Sequence, residues 1–139
     1  MIILDTNVLS EVMRPAPGHH VVLWLDKLRP ENGYTTAITK AEILYGIEVA
    51  PHGSKRSALA KLADRLFSGQ FSGRVLAFED EAAAHYAQIS ALRRSRGRPI
   101  KPADAQIAAI ARLHHATLAT RNTPDFEDCG IRLVNPWEA

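Results

Sequence analysis

The sequence predicts an α/β layer fold built on a mainly parallel sheet, and three observations predict it. The chain opens on Ile2-Ile3-Leu4, an apolar run without alternation, as expected of a strand buried on both faces. Strand-like runs then alternate with helical stripes to the end of the chain. The acids Asp5, Glu42, Asp104 and Asp125 fall just after strands or at helix starts, where a parallel sheet opens its functional crevice.

The elements follow in order. A helix is expected from Thr6-Asn7 to a point before Pro15, with Pro17-Gly18 as punctuation. Val21, Trp24, Leu25 and Leu28 recur at helical spacing. Gly33-Tyr34-Thr35-Thr36 reads as a short strand. Thr39-Lys40-Ala41-Glu42 has the form of a capping box, opening a helix that buries Ile43, Leu44, Ile47 and Ala50. After Pro51-His52-Gly53 a further helix carries Leu59, Leu62, Ala63, Leu66 and Phe67, and Val75 to Phe78 is strand-like. Ala82, Tyr86, Ile89 and Leu92 mark a longer helix that dissolves into Arg93-Arg94-Ser95-Arg96-Gly97-Arg98. Pro102 suits the first turn of the next helix, with Ile107, Ile110 and Ala111 as its stripe. Thr117 to Thr120 is a strand, Pro124 opens a short helix and Ile131 to Val134 closes the sheet. No repeat and no linker interrupts residues 1–139, which fits one domain.

Composition narrows the class. With 139 residues, 46% hydrophobic and 23% charged, the chain can bury one core and is not of disordered type. A net charge of +2 is compatible with a nucleic-acid partner without implying one. Cys129 is the only cysteine, so no internal disulfide can form and a reducing, cytoplasmic setting is expected. No signal peptide and no membrane-length apolar run is visible, so no membrane partner is expected.

The chemistry lies in the acids. Asp5 ends the first strand, Glu42 sits in the expected first turn after the second, and Asp104 sits in the turn opened by Pro102. Asn122 and Asp125 follow the strand ending at Thr120. Carboxylates gathered at one sheet edge repel one another and call for a cation. Oxygen donors without His or Cys at ligand spacing suit Mg²⁺ or Mn²⁺, not Zn²⁺. Each residue also has a structural explanation. Glu42 completes a capping box, Asp104 complements a helix dipole, Asn122 or Thr123 caps the helix at Pro124, and Asp5 caps the helix that follows it.

LDTNVLSE at 4–11, AEILYG at 41–46, ADAQIAAIA at 103–111, ATRNTPDF at 119–126 and VNPW at 134–137 resemble the PIN-domain ribonucleases. The likeness is nearest to the VapC and FitB type of toxin, and it spans essentially the whole chain. It implies a PIN-like three-layer α/β/α sandwich whose Mg²⁺- or Mn²⁺-binding acidic pocket cleaves single-stranded or structured RNA through a metal-activated water. By position, Asp5, Glu42 and Asp104 match the family's three core acids. Asn122 stands where several relatives carry Asp, which leaves open whether Asn122 or Asp125 completes the set. Thr6 and Thr120 match polar positions that orient the acids. The resemblance also implies a homodimer and a VapB-like antitoxin that covers the pocket and carries the DNA binding.

Arg93, Arg94, Arg96, Arg98 and Lys101 precede Asp104 and are expected to hold the RNA backbone, unless they only solvate a helix end. Lys40 and Arg121 are weaker candidates. His19-His20 and His114-His115 read as surface residues, and Trp24, Tyr45 and Tyr86 as core or interface. Two rival readings remain: a haloacid-dehalogenase-like phosphatase, opposed by Asn7 in place of its second acid, and a catalytically weak module that binds RNA or a partner.

Overall fold

Five parallel strands form one sheet: β1 (Ile2–Leu4), β2 (Gly33–Thr36), β3 (Val75–Leu76), β4 (Thr117–Ala119) and β5 (Arg132–Val134). Their order is β3-β2-β1-β4-β5 in the computed structural model, which describes all residues from Met1 to Ala139. The helices are α1 (Thr6–Val12), α2 (His19–Asp26), α3 (Ala37–Val49), α4 (Ser54–Asp64), α5 (Ala82–Ser95) and α6 (Pro102–Leu113). Short 3₁₀ turns cover Pro30–Asn32 and Thr123–Phe126, and a wide π-type segment, Arg65–Gln70, continues α4.

The opening run Ile2-Ile3-Leu4 is sorted by the two-residue period of a strand. Ile3 and Leu118 face a core built with α5 and α6, where Ile89, Ile107 and Ile110 are fully buried. Leu4 and Ala119 face the opposite core, with Val8 and Leu9 of α1, Val21 of α2, Ile43 and Ile47 of α3 and Ala63 of α4. Helices therefore cover both faces of the sheet, which makes three layers and explains the apolar run without alternation. Burying each such Ile or Leu contributes about 1.5–3 kcal/mol.

Several local expectations change. Helix α3 starts at Ala37, not at Thr39, because Thr36 is its N-cap and accepts from the Thr39 N–H at 3.1 Å. The anticipated capping box does not form, since the cap lies three residues earlier with Thr39 at its third helical position, and Glu42 lies beyond the first turn with its side chain free for other work. Leu44 and Leu92 project into solvent, and Tyr45 is 69% exposed, which removes it from the core. Trp24 and Tyr86 do pack against the two cores. The third strand stops at Leu76, since only Thr35 and Thr36 offer it partners.

Glu11 is a buried acid with a structural duty. It accepts from the Gly18 N–H at 3.0 Å and pairs with Arg14, tying α1 to the start of α2. No helix is long and apolar enough to cross a membrane.

Candidate active site

Strand order sets the place where a site can open. β1 lies between β2 and β4, so the chain leaves β1 toward one side and later returns to the other. Loops at the ends of β1 and β4 diverge there and leave a crevice at the carboxyl edge of the sheet. Asp5 follows β1 and Thr120 follows β4, so both stand at this switch point.

Asp5 is held from three sides. Its Oδ1 accepts from the Thr6 N–H at 2.8 Å, which is the N-cap of α1. Its Oδ2 accepts from the Thr120 hydroxyl at 2.8 Å and from the Asn7 amide at 3.3 Å. The cap and the site are thus the same residue, because capping uses one oxygen and leaves that oxygen with spare acceptor capacity. Thr120, itself fully buried, also accepts from the Asn7 amide and from the Asn122 N–H, both at 3.2 Å.

A second chain of bonds reaches Glu42. The Thr6 hydroxyl donates to Glu42 Oε1 at 2.9 Å and lies 3.0 Å from the buried Thr39 hydroxyl. Thr6 has one hydroxyl proton, so Thr39 gives its own to Thr6 and the relay runs Thr39 to Thr6 to Glu42. Threonine at 39 is therefore not a helix cap; it braces an acid one turn later.

Asp104 sits in the first turn of α6, with Pro102 ahead of it. Its carboxyl is pushed up to about 6, chiefly by burial and then by the charges of Asp5, Asp125 and Glu42, while Lys101 opposes the rise. Asp5 is also raised by burial, against the pull of Thr120 and Thr6, with Glu42 and Asp125 adding repulsion. Four acids from four separate segments therefore share one electrostatic cleft. At the fourth position, for which the sequence offers Asn122 or Asp125, the charge felt by Asp5 and Asp104 is that of Asp125, on the 3₁₀ turn. Asn122 is exposed and contributes its main chain, whose carbonyl accepts from the Asp125 N–H at 3.0 Å.

The structure corrects the basic cluster at Arg93 and pairs two of its other members with acids. Arg93 is 5% exposed, and its guanidinium donates to the carbonyls of Arg98, Asp125 and Glu127 at 2.7, 2.9 and 2.8 Å. A side chain so enclosed cannot meet an RNA backbone. Arg96 pairs with Asp128 at 2.8 Å, and Arg98 with Glu127 at 2.9 Å. The run is a helix terminus: Gly97, at φ 70°, closes α5 while the Arg98 and Gly97 N–H groups return to the carbonyls of Arg93 and Arg94. Arg94 and Lys101 alone of the cluster are exposed cations without an ion pair.

Asn7 is the residue that sequence reasoning passed over. Its amide serves Asp5 and Thr120, and its Oδ1 accepts from the Arg121 N–H at 3.2 Å. An Asn two residues after a strand-final Asp was the available signal. No three His, Cys, Asp or Glu side chains form a ready-made ligand set. The chemistry of the donors nonetheless fits a hard divalent cation, because oxygen acids crowd one cleft and raise one another's pKa. A groove of about 320 Å³ leads away from Thr6 and Glu42 between α1 and α3. The larger cavity, about 630 Å³, is apolar, lies between α1, α2 and the Arg65–Gln70 segment, and contains none of these acids.

The PIN-domain family model matches residues 2–130. The chain is 42% identical over 137 residues to the toxin FitB of Neisseria gonorrhoeae, covering 99% of each chain. It is 38% identical to the VapC ribonuclease Y4jK of Sinorhizobium fredii, again over 99% of each. A solved structure of FitAB bound to the IR36 DNA fragment superposes with a TM-score of 0.93 at 42% identity, covering 99% of this chain and 96% of that one.

Proposed function

The chain belongs to the PIN-domain family, and from that premise we propose that it is a metal-dependent endoribonuclease, the toxin of a toxin-antitoxin pair. The observation that carries this reading is the electrostatic coupling of Asp5, Glu42, Asp104 and Asp125 in one cleft at the sheet's switch point. Resemblance over the full chain to proteins named toxin and ribonuclease supports it.

Asp5 and Asp104 are the residues that would hold Mg²⁺ or Mn²⁺, with Glu42 as a further ligand, directly or through water. When bound, such a cation lowers the pKa of a coordinated water and neutralises phosphate charge. The chain's own residues do the rest. Thr120 and Asn7 fix Oδ2 of Asp5, so Oδ1 keeps its free lone pair aimed by a locked carboxyl. Thr6 holds Glu42 by Oε1, leaving Oε2 to orient the attacking water. Asp125 supplies the fourth charge and Asn122 its main-chain support.

The phosphatase reading loses its footing at Asn7, whose amide is engaged with Asp5 and Thr120 where a second acid would be needed. FitAB is a toxin relative solved on DNA, which supports an antitoxin partner that covers this cleft and brings the DNA contact. A homodimer acting in the cytoplasm completes the proposal. Sequencing RNA ends after a pulse of expression tests it: wild type yields new 5′ ends at discrete sites, and Asp5→Asn does not. Identical ends in both strains would refute the assignment.

A further inference from the structure

An RNA strand entering this cleft must bring phosphates close to four carboxylates, so a cation has to stand at the rim. Three of the four arginines expected there are engaged elsewhere, Arg93 on carbonyls, Arg96 on Asp128 and Arg98 on Glu127, and the fourth, Arg94, is unpaired but belongs to the last turn of α5, not to the loops that follow β1 and β4. Lys101 acts on Asp104, and Lys40 lies over the Phe67 ring. One cation beside the switch point remains.

The geometry points to Arg121, laid across Trp137, as the group that holds the RNA backbone at the rim of the acid cleft. Its guanidinium carbon lies 4.9 Å from the centre of the Trp137 ring, and none of the four ion pairs uses it. The residue itself is exposed, while its main chain is pinned on both sides. Its N–H donates to Asn7 Oδ1 at 3.2 Å, and its carbonyl accepts from the Asn135 amide at 3.4 Å. Asn135 Oδ1 in turn accepts from the Trp137 N–H at 2.9 Å. One asparagine therefore sets Arg121 and its aromatic shelf together, and another ties Arg121 to Asp5.

The chemistry follows from that bracing. A guanidinium resting on an indole face is already ordered, so little side-chain entropy is lost when it binds a ligand. Its edge keeps N–H donors for a phosphate, in the geometry that favours bidentate contact. Position 121 follows Thr120, which grips Asp5, so the held phosphate is close to the reacting one. Arg121 is thus a binding residue and does not touch the reacting atoms. The inference rests on the ribonuclease reading, and its test keeps the two apart.

Binding is read by fluorescence anisotropy of a labelled mixed-sequence single-stranded RNA through a salt series, and cleavage of the same RNA is read with Mg²⁺. Arg121→Gln lowers affinity about tenfold, the loss of one charge-assisted hydrogen bond. It makes the slope of log affinity against log salt less steep by about 0.7, one single-strand phosphate contact. KM rises while kcat stays near the wild-type value. Arg121→Lys keeps the salt slope, and Trp137→Leu weakens binding with the slope intact. Wild-type affinity and slope in Arg121→Gln overturn the proposal while wild-type cleavage leaves the ribonuclease reading standing. A wild-type chain that neither binds nor cuts RNA overturns both.

Discussion

The Arg93 guanidinium, buried at the end of α5, donates to the main-chain carbonyl of Asp125 at 2.9 Å, on the far side of the α6 connection. It takes the Glu127 carbonyl as well, so it clasps the C-terminal end of the turn that carries Asp125. A residue that looked like part of an RNA-binding patch is instead the strut of one wall of the cleft.

That clasp makes a stability prediction. Arg93→Met strands three carbonyl acceptors in a buried setting and lowers unfolding stability by about 3 kcal/mol. Arg93→Lys recovers part of this through a single ammonium. Urea denaturation of the two variants measures the difference; equal stability of Arg93→Met and wild type would contradict the clasp.

Thr120 anchors Asp5 through the shortest bond between two side chains at the site, at 2.8 Å. Thr120→Val keeps the shape and removes the donor, so with Asp5 as the proposed ligand Mn²⁺ affinity falls about 10–100-fold, the loss typical of removing a metal ligand's hydrogen-bond partner. Thr120→Ser retains it. Titration calorimetry with Mn²⁺ separates the two variants, and equal affinities would show that the hydroxyl is idle.

The raised carboxyls predict an unusual pH dependence. Asp104 titrates near 6 in the folded chain against an ordinary 3.8, so between these values the folded state binds more protons than the unfolded one. Metal-free stability therefore falls as pH rises through that window, and the raised pKa of Asp5 adds in the same direction. Asp104→Asn flattens the fall. Divalent cation reverses it above about pH 6, where the ionised acids gain a partner. Thermal melts across pH, with and without Mg²⁺, check the sign. A metal-free chain that grows steadily more stable from pH 4 to pH 6 would contradict it.

The fourth position gives a paired test. Asp125 carries the charge that Asp5 and Asp104 feel, and the Asn122 side chain makes no hydrogen bond. Asp125→Asn weakens Mn²⁺ binding and slows cleavage, whereas Asn122→Ala leaves both nearly unchanged. The reverse ranking, measured by the same titration and a cleavage time course, would assign the fourth position to Asn122.

Much of this was legible in the chain. Strand β1 and helix α6 announce themselves because burial on both faces and proline at the first turn leave local marks. Asp5, Glu42, Asp104 and the pair Asn122 and Asp125 could be singled out because a parallel sheet collects its crevice where strands end. The start of α3 was misread because Thr36 and Thr39 are both good caps, and only strand pairing shows which one is still extended. The duty of Arg93 was hidden for a different reason. Its partners are carbonyls 32 and 34 residues away, and a carbonyl carries no sequence signature. Asn7 was undervalued because its partners Thr120 and Arg121 come from the other end of the chain.

The most direct measurement of the central claim is cleavage of single-stranded RNA by the purified chain, wild type against Asp5→Asn, in Mg²⁺ and in EDTA. The cleft as described predicts cutting by wild type with Mg²⁺, none in EDTA, and none by an Asp5→Asn protein that still melts cooperatively. Undiminished cutting by a folded Asp5→Asn protein, or by wild type in EDTA, would contradict it.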